Sequence, residues 1–151
     1  MDAQNKKKGS EGIYCGGAIE LNDKTIVTGS NSPQLHAASS LILHAIKHLA
    51  EIPDKIKLLP PNIIESVRNL KTEVLNEKAL SLDLVEVLIA LSISATINPA
   101  AQLAMGKLTK LQGCEVHMTH MPTPGDEAGL RRLGVNLTSD PNFSTKDLFV
   151  T

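Results

Sequence analysis

The stretch "GGAIELNDKTIVTGSNSP", residues 16–33, decides how the fold of this 151-residue chain begins. Two short runs, residues 18–21 and 25–28, flank Asn22 and Asp23, which tolerate the backbone angles of a tight turn. The pattern predicts a β-hairpin. Ser32 followed by Pro33 then predicts the start of a helix, because serine caps helices and proline suits the first helical position.

Beyond the hairpin, helix and strand patterns alternate. Apolar residues at three- and four-residue steps predict a helix that starts at Pro33 and is ended by Ile52-Pro53, and "KIKLL" at 55–59 predicts a short strand. A second helix should start at Pro60-Pro61, with the segment after it ambiguous. The remaining elements are a helix over 81–97 capped by Ser81, a helix over 98–112, a strand over 114–121, a helix over 123–134 and a strand over 135–138.

This order predicts a layered single α/β domain with a mixed sheet and an N-terminal β-hairpin. The segment "SLDLVEVLIALSISATI", residues 81–97, is apolar on almost every side, which favours a buried central helix. Residues 13–139 should form the domain. Residues 1–12 are expected to be a disordered arm, and residues 140–151 a loose tail.

Composition excludes several classes of function. Only 2% of the residues are aromatic and the net charge is -1, so neither base-stacking platforms nor a field for polyanions is present. We therefore expect no nucleic-acid partner. No apolar run reaches 18 residues and no secretory signal follows the N-terminal lysines, which predicts no membrane association and a cytoplasmic location. Cys15 and Cys114 should then stay reduced.

The segment "GCEVHMTHMP", residues 113–122, holds the main candidate for chemistry. Side chains alternate along a strand, so Glu115 and His117 share one face. A histidine at neutral pH can act as a general base that a nearby carboxylate orients. Two ligands do not make a zinc site, and no dinucleotide fingerprint is present, so we predict no metal and no cofactor. Hydrogen bonding at the end of a sheet explains the same residues equally well.

A second candidate is an anion-binding loop at Gly29, Ser30 and Asn31. A loop before a helix can hold a phosphate or carboxylate with the helix N–H groups. A capped turn needs the same residues without any ligand. Asp126 and Glu127, with the arginines that end the same helix, are explained by the helix dipole and by local pairing.

Several stretches resemble the C-terminal region of one bacterial family, domain of unknown function 1846. They occur in order and cover most of residues 18–141: "AIELNDKTIVTG", "AASSLILHAIKHLA", "VEVLIALSISATINPAAQLAM", "LTKLQGCEVHMTH" and "LRRLGVNLTSDP". The resemblance implies a longer protein whose upstream domain carries a segment similar to a phosphate-binding loop. This chain would then be a C-terminal piece, and Glu115, His117 and Thr119 belong to the shared stretches.

Two functions compete at this point. The first is a non-catalytic companion domain that packs on the upstream domain or on another copy of itself. The second is part of an enzyme active site that uses His117 and Glu115, with the loop at Gly29–Asn31 binding an anion.

Overall fold

The computed structural model describes residues 16–77 and 80–141 and contains a four-stranded mixed sheet. The strands are β1 (Gly16–Glu20), β2 (Ile26–Ser30), β3 (Glu115–Met118) and β4 (Asn136–Ser139), in the spatial order β2-β1-β3-β4. Strand β1 is antiparallel to both β2 and β3, while β3 and β4 are parallel. The predicted α/β domain with an N-terminal hairpin and a mixed sheet is confirmed.

Five α-helices occur within the described residues. They are α1 (Ala37–Leu49), α2 (Pro61–Asn69), α3 (Leu84–Ser94), α4 (Pro99–Met105) and α5 (Pro124–Arg132). A π-helical turn at Leu70–Val74 continues α2, and a 3₁₀ turn at Leu108–Leu111 precedes β3. The predicted arm over residues 1–12 lies outside the described residues. Of the predicted tail only Asp140 and Pro141 are described, and the Asp140 N–H donates to the carbonyl of Met118.

The helices cover one face of the sheet. Alternation along β1 and β3 turns Ile19, Val116 and Met118 inward, where they are almost fully buried with Leu41 of α1 and Leu130 of α5. The residues between them point the other way, and Glu115 and His117 are exposed on that side. The single core therefore lies between the helices and this inner face.

The helix start predicted at Ser32-Pro33 is wrong. The Ser32 hydroxyl accepts the N–H groups of Gln34 and Leu35, which closes a local turn instead of capping a helix. The chain then stays extended because Leu35 forms a parallel bridge with Leu82, and α1 begins only at Ala37. A contact 47 positions away in the chain thus delays the helix, and local pattern could not reveal it.

The predicted strand "KIKLL" is also wrong, because residues 55–59 form turns and bends. The buried Lys47 ammonium donates to the carbonyl oxygens of Asp54 and Ile56, at 2.7 and 2.5 Å. These carbonyls therefore accept hydrogen bonds from a side chain, whereas in a strand they would accept them from the backbone of a neighbouring strand. Leu58 and Leu59 still reach the core, which accounts for the apolar pattern of the segment.

Two helix boundaries also differ from the prediction. Helix α3 is capped by Asp83 and not by Ser81, since Asp83 and Glu86 form a reciprocal capping box. The helix that starts at Asn98-Pro99 ends at Met105, and the chain continues to Leu111 as a tighter turn. Gly113 has the positive φ of 83° that the predicted stop requires.

Helix α3, which was predicted to be a buried central helix, is buried on one side only. Leu84, Val87 and Leu91 are completely buried against the core. On the other side Ile89 is 57% exposed and Ile93 is 51% exposed. Apolar residues on nearly every side of α3 therefore form two faces. One face is buried in the core, and the other is not covered by any of the described residues.

Gly29 sets the distance between α1 and the sheet, and its replacement tests this packing. A Cβ at position 29 would lie 2.5 Å from the backbone nitrogen and 2.6 Å from the Cα of Leu41. We expect Gly29→Ala to lower the free energy of unfolding by about 1–3 kcal/mol, because α1 must move away. Urea denaturation followed by circular dichroism measures this change.

Gly106→Ala is the matched control. Gly106 has a helical φ of -64°, and the nearest heavy atom to an added Cβ lies 3.4 Å away. This substitution should leave stability unchanged or raise it by about 0.4–1 kcal/mol through the unfolded chain. Equal effects of the two substitutions would mean that the contact between α1 and β2 is not tight.

Candidate functional site

Glu115 and His117 lie on the exposed face of β3, as their spacing predicted, but different residues orient the histidine. The Nδ1 of His117 lies 2.8 Å from Thr138 Oγ1, and its Nε2 lies 3.1 Å from Asp140 Oδ1. Both partners come from β4 and the residue after it. His117 is therefore held by the neighbouring strand, and its ring is half exposed.

Gly29 and Ser30 lie within β2 and do not precede a helix start. Gly29 packs against the backbone of Leu41, which explains the need for glycine without a ligand. Asn31 follows the strand and is buried. The prediction of an anion site at these residues was based on a helix starting at Pro33, and α1 starts four residues later.

The topology of the sheet gathers another group of residues at one edge. Strands β2, β3 and β4 run in the same direction, because β1 is antiparallel to both β2 and β3. Their carboxyl ends therefore meet at one edge, where ligands commonly bind in open α/β sheets. His36 precedes α1, His120 follows β3, and Asp126 lies in the first turn of α5. We call His36, His120 and Asp126 the carboxyl-edge cluster.

Asp126 is the centre of this cluster. Its side chain is 1% exposed, and its Oδ2 lies 2.8 Å from Nδ1 of His36. Its Oδ1 accepts the backbone N–H of Leu84, the first residue of α3, at 2.9 Å. Because a carboxylate only accepts hydrogen bonds, the Nδ1 of His36 carries the proton. One buried carboxylate thereby fixes the orientation of the imidazole.

The surroundings of the cluster are charged. Asp83 caps α3, and Gly125 packs so closely against its carboxylate that a side chain there would collide with it. Burial, together with the charges of Glu86 and Asp126, raises the pKa of Asp83. Lys71 donates to Glu86 at 2.9 Å and to the carbonyl of Ser81.

The two histidines of the cluster have opposite pKa shifts. Burial alone would lower the pKa of His36, but its hydrogen bond to Asp126 and the charges of Asp126 and Asp83 outweigh it, so this pKa is raised above 6.5. Burial lowers the pKa of His120, and the charge of His36 adds to this effect. His120 is 4% exposed, and its buried Nδ1 has no hydrogen-bond partner. The cluster thus combines a histidine that favours its charged form with one that favours its neutral form.

Sequence reasoning missed all three residues as a group. His36 and Asp126 are 90 positions apart, and no spacing rule joins them. Asp126 was explained by the dipole of its own helix, which does not require burial. The available signal was a histidine in the loop between a strand and a helix, a place where sheet topology can collect polar groups.

Neither a metal centre nor a membrane span is found in the described part of the chain. Within residues 16–77 and 80–141, no three His, Cys, Asp or Glu side chains are grouped so that they could hold a metal ion. No helix in these ranges has the length and apolar character needed to cross a bilayer.

These features define an α/β domain with one helix-covered sheet face, a polar carboxyl edge and an apolar outer side on α3. The family described as "Domain of unknown function DUF1846, C-terminal" matches residues 1–149, and the chain belongs to this family. The resemblance found in the sequence is confirmed.

Curated relatives are similar over most of this chain. A UPF0371 protein of Clostridium botulinum (strain Alaska E43 / Type E3) is 48% identical over 132 residues, which are 87% of this chain and 26% of the relative. A UPF0371 protein of Clostridioides difficile (strain 630) is 45% identical over the same shares of the two chains. The chain thus spans about a quarter of the length of the relatives it matches, as expected for one domain of a larger protein.

The opposite pKa shifts predict opposite pH effects on stability. A raised pKa means that folded His36 binds more protons than the unfolded chain, so its contribution to stability is full below pH 6.5 and is lost as the pH rises through the folded value. A lowered pKa means that the contribution of His120 is present above pH 6.5 and is lost as the pH falls through its folded value.

We therefore expect His36→Gln to remove stability mainly at acidic pH and His120→Gln to make the protein less sensitive to acid. Urea midpoints of the wild type and both variants between pH 5 and 8 measure this. If the urea midpoint of each variant differed from that of the wild type by the same amount at every pH, the assigned pKa shifts would be contradicted.

Proposed function

We propose that this chain is a non-catalytic companion domain that packs against the upstream region of a longer protein. The observation that carries the proposal is the apolar outer side of α3. Ile89 and Ile93 are about half exposed, and Ile97, just beyond the helix, is 81% exposed. We call these three isoleucines the α3 stripe.

The α3 stripe has the geometry of an interface. Ile89 and Ile93 are four residues apart, which brings their side chains to one side of α3, and Ile97 lies in the turn that follows the helix. Leu103 of the adjoining α4 is a further exposed apolar side chain. Isolated exposed apolar residues are common, whereas a continuous apolar row marks a contact surface. Covering each half-exposed isoleucine stabilises association by roughly 1 kcal/mol.

The length of the relatives favours the upstream region as the occupant. About three quarters of each relative lies outside the part that matches this chain. A region on the same polypeptide has a high effective concentration, so a modest apolar surface is enough to hold it. The competing occupant of the α3 stripe is a second copy of this chain.

The double substitution Ile89→Ser with Ile93→Ser tests the interface. We expect it to weaken binding of the upstream region, supplied as a separate chain, by about tenfold, because two apolar contacts of roughly 1 kcal/mol each are reduced. Isothermal titration calorimetry measures this binding. Sedimentation velocity of the isolated chain shows whether the same substitution also removes self-association.

Ile26→Ser is the matched control, since Ile26 is 64% exposed but lies on β2 and not on α3. It should bind the upstream region as tightly as the wild type. Equal binding by the control and the double variant would exclude the α3 stripe as the interface.

A second candidate function is a contribution to an enzyme active site through His117 and Glu115. The favouring observation is that Thr138 and Asp140 contact the two ring nitrogens of His117 at 2.8 and 3.1 Å. A histidine oriented in this way can transfer protons. Gly29, Ser30 and Asn31, at the carboxyl end of β2, would bind an anionic part of the substrate.

His117→Gln tests this second candidate in the whole protein. Screening with nucleotides and phosphate esters supplies the reaction to follow, and the variant should lose at least about 100-fold in turnover, the usual contribution of a general base. His48→Gln, on the exposed end of α1, is the control. Turnover by His117→Gln equal to that of the control would rule out a catalytic His117.

We also propose a cytoplasmic location. Cys114 is a buried free thiol, and burial raises its pKa. A protonated thiol in this setting is unreactive, as suits a reducing compartment.

A further inference from the structure

We infer that the carboxyl-edge cluster is a binding site for an oxyanion, either a phosphate or a carboxylate group, held between His36, His120 and the first turn of α1. The site is separate from the α3 stripe and does not depend on the proposed companion function. Three observations support it: an uncapped buried helix start, a buried imidazole nitrogen without a partner, and a histidine whose charge is neutralised locally.

The first observation is the start of α1. No side chain caps this 13-residue helix, whereas Asp83 caps α3 and Thr123 caps α5. Its first three residues, Ala37, Ala38 and Ser39, are at most 1% exposed. The N–H groups of a first turn have no partner within the helix, and a buried helix end needs an acceptor from elsewhere. An oxyanion supplies such acceptors and suits the positive end of the helix dipole.

The second observation is His120. Its Nδ1 is fully buried and has no hydrogen-bond partner, which is costly for a polar atom. The ring lies close enough to His36 and Asp126 for both charges to act on it. His36 is the N-cap of α1, so the His120 ring belongs to the same charged surroundings as the uncapped helix start. In the tautomer with hydrogen on Nδ1, His120 donates to the ligand while remaining neutral.

The third observation concerns charge. Protonated His36 and ionised Asp126 form a pair with no net charge, so Asp126 does not repel an anion beside His36. When His36 is neutral, the pair carries the negative charge of Asp126. Of the other nearby groups, Asp83 disfavours an anion and Lys71 favours it, although Lys71 is already paired with Glu86. Oxyanion binding should therefore strengthen as the pH falls and His36 gains its proton.

The test is a titration of the 151-residue chain with inorganic phosphate, followed by ¹H–¹⁵N correlation spectra at pH 6 and pH 8. We expect saturable shifts at the amides of Ala37, Ala38 and Ser39 and at the His120 ring. For acetate, which is a monoanion at both pH values, binding should be roughly tenfold weaker at pH 8. Sodium chloride at equal ionic strength controls for screening. Acetate is titrated in parallel, and the stronger of the two anions identifies the class of ligand.

Variants make the assignment specific. His36→Gln should abolish the pH dependence of anion binding. His120→Gln should weaken phosphate binding several-fold, while the rest of its spectrum remains that of a folded protein. His48→Gln, at the other end of α1, should bind as the wild type does. The proposal is overturned if neither anion shifts the three amides beyond the chloride control, or if His48→Gln lowers the affinity as much as His120→Gln. If His120→Gln does not fold, the wild-type titration alone decides.

Discussion

The buried carboxylate of Asp126 is the interaction on which the arrangement of three helices depends. It belongs to α5, accepts the first N–H of α3 and contacts His36 at the start of α1. Removing one partner of such a buried pair typically costs roughly 3–5 kcal/mol, because the other charge is left unpaired. The geometry of the carboxyl edge is therefore coupled to the packing of the whole helical layer.

The topology of the sheet determines where this carboxylate lies. With β2, β3 and β4 in one direction, the loops after them share an edge, and the helices that follow β2 and β3 start there. The edge is polar while the core a few residues away is built from aliphatic side chains. Two surfaces of different chemistry result: a charged edge, and exposed isoleucines on the outer side of α3.

Particular elements show how far local sequence can predict this structure. Proline at the first helical position gave α2, α4 and α5 correctly, and the glycines at 113 and 134 adopt the positive φ that ends a helical segment. Two predictions were wrong because the backbone of the segment bonds to a group that the local pattern does not reveal. Leu82 holds Leu35 extended, and Lys47 binds the carbonyls of a segment whose composition favours a strand. Of the candidate residues, Glu115 and His117 share a face as predicted, but Thr138 and Asp140 could not be identified as the partners of His117.

The sequence by itself determined the class of the fold, the hairpin, most helix starts and the family, because turn residues, caps and apolar periods act within a few positions of the chain. Only the tertiary structure decided which polar groups are buried together. Asp126 is an ordinary first-turn acid in the sequence and becomes the centre of a polar cluster only when α1 and α3 reach it. The reason is physical: the burial and the hydrogen-bond partners of a side chain are supplied by residues far away along the chain.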